Sequence, residues 1–201
     1  MKLSLNGVIL GEALELEEYV ALAGRTGFEG VDFDMGACLR IAEEGGVDEV
    51  LALFDRHNVE PANWGIPVNW RGPEDVFKET LAEFPRWAEM GAALGCPRAC
   101  TWIPPAIEQD PEQFRQMTVD RWRQIGQIAA EYGVRLGLEW VGTPTLRTSG
   151  SEFVHTMDGL LEMEEEIGLD NVGLLVDSFH WYTAGHGAQE LASVPAERIV
   201  H

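Results

Sequence analysis

Val172-Gly173-Leu174-Leu175-Val176-Asp177-Ser178-Phe179-His180 is an apolar run that ends abruptly in a carboxylate, with an imidazole three residues further on. Leu136-Gly137-Leu138-Glu139-Trp140 has the same form earlier in the chain. A parallel strand buried on both faces is nearly all Val, Ile and Leu, so an acid at its end needs a reason. One reason is local: Asp177 can cap the segment that follows by accepting hydrogen bonds from backbone amides. The other is chemical. Two carboxylates about 5 Å apart, at an effective dielectric near 20, repel by roughly 3 kcal/mol. A divalent cation between them removes that cost, and carboxylate oxygen with imidazole nitrogen suits Mn²⁺, Mg²⁺, Co²⁺ or Zn²⁺. The pair favours metal ligation over capping.

Outward from these two segments, short apolar runs alternate with stretches of helical period. The predicted strands are Leu3–Ile9, Gly30–Phe33, Val59–Asn63, Arg98–Trp102, Val134–Trp140, Val172–Val176 and Arg198–His201. Between them lie the stripes Leu16/Tyr19/Val20/Ala23, Phe77/Leu81/Phe84/Ala88 (with Pro85 expected to kink it), Trp122/Ile125/Ala129/Tyr132 and Leu160/Met163/Ile167. Gly27, Gly95, Gly133 and Gly168 follow helices as C-terminal caps do. Strand–helix alternation of this spacing predicts an α/β fold with a parallel sheet and crossover helices.

The first strand is followed by Asn6-Gly7-Val8-Ile9-Leu10-Gly11, which lacks the third glycine of a dinucleotide loop. Polar or aromatic residues instead stand at the end of nearly every strand: Asp34, Asn63 with Trp64, Trp102, Glu139, Asp177 with His180, and His201. In a (β/α)₈ TIM barrel such ends converge on one face and build the active site. About seven strands and six helices are predicted, so residues 1–201 read as one barrel domain that is incomplete here, C-terminally truncated before its last helices and eighth strand.

The composition narrows the partner. Over 201 residues, 14 Lys and Arg oppose 34 Asp and Glu, a formal net charge of −20. Such a surface repels phosphate backbones and anionic lipids, so neither nucleic acid nor a membrane is the expected partner. No apolar run spans a bilayer and the N-terminus has no secretory layout. Cys38, Cys96 and Cys100 lack zinc-site or disulfide spacing and read as reduced, buried thiols of a cytoplasmic protein. Lys2 and Lys78, the only lysines, sit at no strand end, which leaves no Schiff-base candidate. His57 reads as a helix cap, His155 and His186 as loop residues, and Glu162–Glu166 as a solvated helix face. Trp64, Trp70, Trp102, Trp140 and Trp181 fall near the predicted mouth, as walls for sugar C–H faces. The expected ligand is a small sugar or polyol; homo-oligomer formation is left open.

Gly137-Leu138-Glu139, Asp177-Ser178-Phe179-His180 and Arg198-Ile199-Val200-His201, with Gly27–Asp32 opening the second strand, together resemble the xylose isomerase-like barrels. That superfamily includes sugar-phosphate isomerases and epimerases, ketose 3-epimerases, inosose dehydratase and a DNA-repair branch. The resemblance implies one divalent metal ion, with Glu139 a ligand and acid/base group, Asp177 a second ligand, and His180 a substrate-contacting or ligand imidazole. His201 is then either the seventh-strand ligand or the first member of a His pair. Trp64, Trp102 and Trp140 are the expected substrate-binding aromatics. The DNA-repair branch carries histidines at the third and fourth strand ends, where this chain has Asn63-Trp64-Gly65 and Thr101-Trp102-Ile103. The implied activity is isomerisation or epimerisation of a sugar, sugar phosphate or related ketose or polyol, with an inosose-type dehydratase or a non-catalytic sugar-binding barrel as alternatives.

Overall fold

A computed structural model describes residues 2–11 and 13–201. Six parallel strands stand side by side in chain order: β1 (Ser4–Leu5), β2 (Gly30–Phe33), β3 (Glu60–Gly65), β4 (Arg98–Ile103), β5 (Arg135–Trp140) and β6 (Val172–Leu175). Each connection crosses over through helix: α1 (Leu16–Thr26), α2 (Met35–Gly45) with α3 (Val47–Arg56), α4 (Glu74–Ala93), α5 (Pro111–Glu131) and α6 (Met157–Ile167). Two short helices, α7 (Ser178–Thr183) and α8 (Ala188–Ser193), follow β6. Parallel strands in sequential order with crossover helices are the winding of a TIM-barrel wall.

The eight α-helices among the described residues exceed the six expected. Gly46, at φ 85°, breaks the second crossover into α2 and α3; that region of φ favours glycine because it has no Cβ. The predicted first strand shortens to Ser4–Leu5, because Asn6 accepts a 3.0 Å bond from the Val8 amide and starts a 3₁₀ turn at Gly7–Leu10. Arg198–His201 is no strand. Ile199 makes one parallel bridge to Leu174, and the Val200 amide donates to the Leu174 carbonyl at 2.8 Å. This segment therefore borders β6 without extending the sheet by a regular strand. Pro85 lies inside α4, which continues on both sides of it.

The predicted helical stripes face the core: Leu16, Tyr19, Val20 and Ala23 are buried on α1, as are Leu160, Met163 and Ile167 on α6. Along β5, successive side chains alternate between the helix layer and the barrel interior. Leu136, Leu138 and Trp140 are fully buried in the core. Gly137 belongs to the opposite face, where an added Cβ would stand 2.6 Å from Cys100 Sγ and 3.3 Å from Val200 Cβ. Only glycine fits there, and the interior below the mouth is filled. Cys38, Cys96 and Cys100 are free and buried, and burial pushes all three thiols well above the ordinary range.

One sequence expectation reverses. Glu162–Glu166 is not wholly a solvated face. Glu164 has a side chain only 4% exposed, and Arg198 from the chain's last segment meets its Oε2 at 2.9 Å. Glu166 is gripped by Arg115, also at 2.9 Å. These ion pairs tie α6 to the end of the chain and to α5.

Candidate metal centre and active site

Glu139 closes β5 on the same face as Gly137. Its cross-strand neighbours are Trp102 on β4 and Leu175 on β6. Two residues beyond Leu175, Asp177 leaves the sheet in an extended conformation and caps α7. Its Oδ1 accepts the Phe179 amide at 2.6 Å and the His180 amide at 3.1 Å. The cap thus does two things at once, freezing the carboxylate and fixing where α7 presents His180. Capping and ligation, the two readings weighed for Asp177, are compatible, because the cap uses one oxygen.

The result is a cluster. Glu139, Asp177 and His180 each offer a ligand atom, and these atoms all lie within 4.8 Å of one another. Thr143, three residues past β5, places its hydroxyl 3.3 Å from His180 Nδ1. Gly142 lets this loop press against α7, since a Cβ there would fall 2.2 Å from the His180 carbonyl oxygen. A partner on one ring nitrogen fixes ring orientation and leaves the other nitrogen for a ligand. Burial pushes the Glu139 carboxyl up to about 7, and the Asp177 charge pushes the same way. Two acids beside an imidazole, with no basic side chain paired to either among the described residues, form a donor set suited to a cation.

His201 lies outside that cluster. Its ring turns to β2, where Nε2 stands 3.5 Å from Asp32 Oδ1. Asp32 also accepts from Ser4 Oγ at 3.0 Å and from Asn6 Nδ2 at 3.3 Å. The backbone of His201 nevertheless borders the site, because the Val176 amide donates to its carbonyl at 2.9 Å. Asp32 itself was passed over in the sequence reading. The signal was present: Gly30 and Asp32 alternate in β2, and an acid inside a strand rather than at its end must find polar partners.

The tryptophan expectation needs correction at two positions. Trp64 is 1% exposed, donates its indole N–H to the Cys96 carbonyl at 3.1 Å, and packs on Phe84 of α4. Trp140 is 0% exposed. Both sit one residue out of phase with an inward polar neighbour and so project into the helix layer. Trp70 is likewise buried, 5.4 Å from the Trp122 ring. Trp102 is different: it is 42% exposed beside Glu139, and the Arg71 guanidinium lies 4.2 Å above its ring. Of the loop histidines, His186 accepts the Met157 amide at 2.9 Å at the start of α6, and His155 bonds the Phe153 carbonyl at 3.1 Å. His57 caps α3, as expected.

A wall of parallel strands with two acids and an imidazole at its C-terminal end defines a TIM barrel whose mouth is built for chemistry. Residues 20–201 match the family model described as xylose isomerase-like TIM barrel, and the chain belongs to that family. A solved structure of a xylose isomerase domain protein from Alicyclobacillus acidocaldarius is 35% identical, with a TM-score of 0.92, over 100% of this chain and 72% of that one. A curated inosose isomerase from Halalkalibacterium halodurans is 24% identical over 205 residues, 99% of this chain and 70% of the relative. The crystal structure of an IOLI protein with a bound zinc atom shares the fold, at TM-score 0.78 and 24% identity, covering 100% of this chain and 71% of that one. No helix among the described residues is long and apolar enough to cross a membrane.

Proposed function

We propose that this protein is a divalent-metal-dependent isomerase or epimerase of a sugar or related polyol ketone. The observation that carries the reading is the Glu139–Asp177–His180 cluster at the strand ends. The donor set fits a cation: two carboxylates and an imidazole within 4.8 Å are the ligand types that Mn²⁺, Mg²⁺, Co²⁺ and Zn²⁺ accept. Glu139, Asp177 and His180 would hold it; His201, whose backbone meets the same strand end while its ring faces Asp32, would join them only by turning that ring. When bound, a cation polarises a substrate carbonyl and makes the neighbouring C–H more acidic.

The chain's own groups do the rest. Glu139, at the strand end beside the proposed cation, takes a proton from the carbon beside the carbonyl and returns it. The proton leaves carbon for a Glu139 oxygen, and the electron pair of the C–H bond moves toward the carbonyl oxygen. Protonation of the same carbon on the other face, which requires a second acid across the site, gives an epimer; return of the Glu139 proton to the neighbouring carbon, with the hydroxyl proton passing to the original carbonyl oxygen, gives an isomer. Asp177 is fixed by two amides and serves to hold rather than to transfer. His180 orients a substrate oxygen, and the exposed face of Trp102 takes sugar C–H groups.

Relatives named inosose isomerase support this reading over a dehydratase, and a structural relative with a bound zinc atom supports the cation. The direct experiment is deuterium wash-in from D₂O into inosose and a panel of ketoses, with metal content measured before and after chelation. Exchange that stops on chelation and returns with added cation is the expected result. Loss of hydroxide from the substrate would instead make the protein a dehydratase, and no exchange with any ketone would end the proposal.

A further inference from the structure

Arg71 differs from most arginines of the chain. Arg40, Arg56, Arg86, Arg115 and Arg121 each meet a carboxylate. Acids outnumber bases by 34 to 14, yet among the described residues Arg71 has no carboxylate or carbonyl partner. Its contacts are aromatic: the guanidinium lies 4.2 Å from the Trp102 ring centroid and 5.4 Å from that of Trp70. A guanidinium stacked on a ring spends its face and keeps its in-plane N–H donors free, in the fork that suits a carboxylate or phosphate. Arg71 remains exposed, and the desolvation it does meet pulls its pKa below the ordinary value with no counter-charge to offset it.

Its place makes that arrangement useful. Trp102 and Glu139 are register partners on adjacent strands, which lie about 4.8 Å apart. Arg71 therefore sits one aromatic ring away from the proposed acid/base group. A cavity of about 250 Å³ opens beside it, lined by Arg71, Pro104, Glu108, Gln109, Phe114 and Ser149. Glu108, the acid on its wall, forms no ion pair with Arg71. A protein of net charge −20 repels anions in general, so a substrate with an anionic end needs one local cation to enter the mouth.

We infer that Arg71, held on Trp102 beside the 250 Å³ cavity, is an anion subsite that takes the carboxylate or phosphoryl end of the substrate. The inference rests on the mouth being the substrate site, and within sugars, sugar phosphates and polyols it narrows the substrate class to those with an anionic end, sugar acids or sugar phosphates.

The test uses the full chain stripped of metal, so that an anion cannot bind through a cation at Glu139 and Asp177. Binding of inorganic phosphate, D-gluconate and myo-inositol is measured by calorimetry for wild type, Arg71→Met and Arg71→Lys. Among the described residues the Arg71 side chain forms no hydrogen bond, so the Met variant should melt close to wild type, and the Lys variant keeps the charge if it does not. The expected result is that Arg71→Met weakens phosphate or gluconate binding about tenfold or more, the scale of a charged hydrogen bond, with Arg71→Lys between the two. Loss of phosphate binding assigns a phosphoryl end, and loss of gluconate binding alone assigns a carboxylate end. Equal anion binding by wild type and both variants, no anion binding by wild type, or an Arg71 dependence confined to myo-inositol would overturn the subsite. None of those outcomes touches the deuterium wash-in, which judges the proposed reaction separately.

Discussion

Glu139 and Glu164 are two glutamates pushed up to about the same value, near 7, and mainly by the same cause, burial. Their neighbours differ. Glu139 faces another acid, Asp177, which adds to the shift, whereas Glu164 faces the Arg198 guanidinium at 2.9 Å, which opposes it. Glu164 sits on a helix and staples α6 to the last segment of the chain. Glu139 sits at a strand end with an imidazole and a carboxylate and no cation of the protein beside it. A perturbed acid is thus a functional signal only when its surroundings leave its charge unanswered; a perturbed acid with its own arginine is architecture.

The largest effect that follows falls on Glu139. Glu139→Gln preserves size and one oxygen while removing the negative charge and the proton acceptor. Turnover of the full-length protein should drop by roughly 10²–10⁴, the usual scale of general acid–base catalysis. The matched change Glu164→Gln should leave turnover within about threefold, since Glu164 touches no group of the mouth. Steady-state rates of the two variants on one substrate decide the matter, and equal losses would erase the distinction between the two acids.

Asp177 comes next. Asp177→Asn should lower cation affinity about tenfold to a hundredfold, read by titration of the metal-stripped protein. Because Asp177 is assigned no proton transfer, excess cation should restore its turnover more fully than that of Glu139→Gln. The amide oxygen of Asn still accepts from the Phe179 and His180 amides, so the stability cost should stay within about 1 kcal/mol. Identical rescue of the two variants would sink the division between holder and base.

Much of this contrast was open to a reader of the sequence. The strand–helix alternation yielded the barrel wall, and an apolar strand ending in an acid flagged both Glu139 and Asp177. The misplaced tryptophans show where the reasoning stopped short. Side chains alternate along a strand, so Glu139 facing the interior already commits Trp140 to the helix layer, and the same applies to Trp64 after Asn63. Glu164 departs from its helical pattern for another reason. Helical period identifies the face on which a residue lies, but not what a distant part of the chain lays over that face. Arg198 covers α6 through a contact 34 positions away in sequence, which no local pattern encodes. The ring of His201 is a third case, because its Asp32 partner on β2 depends on how the wall curves.

The smallest expected effect is also the one that separates the two acids without any substrate. In the unfolded chain both glutamates titrate near 4.5, and in the folded chain near 7. Between those values the folded protein keeps protons that the unfolded chain has lost, so rising pH favours unfolding. Each group's contribution to stability is fully present below about 4.5 and is lost as pH climbs through 7. One group changes the slope by at most about 1.4 kcal/mol per pH unit. Glu164→Gln removes its share, so the stability gap between wild type and variant, taken from urea midpoints, should shrink steadily from pH 5 to pH 8. Glu164 Oε1 is buried without a hydrogen-bond partner among the described residues, which adds to the cost of ionising the carboxyl. Saturating divalent cation should then flatten the slope that Glu139 contributes, since a ligated carboxylate no longer prefers its proton, and should leave the Glu164 share untouched. A cation that altered neither share, or altered both equally, would show that Glu139 is held by the fold in the same way as Glu164.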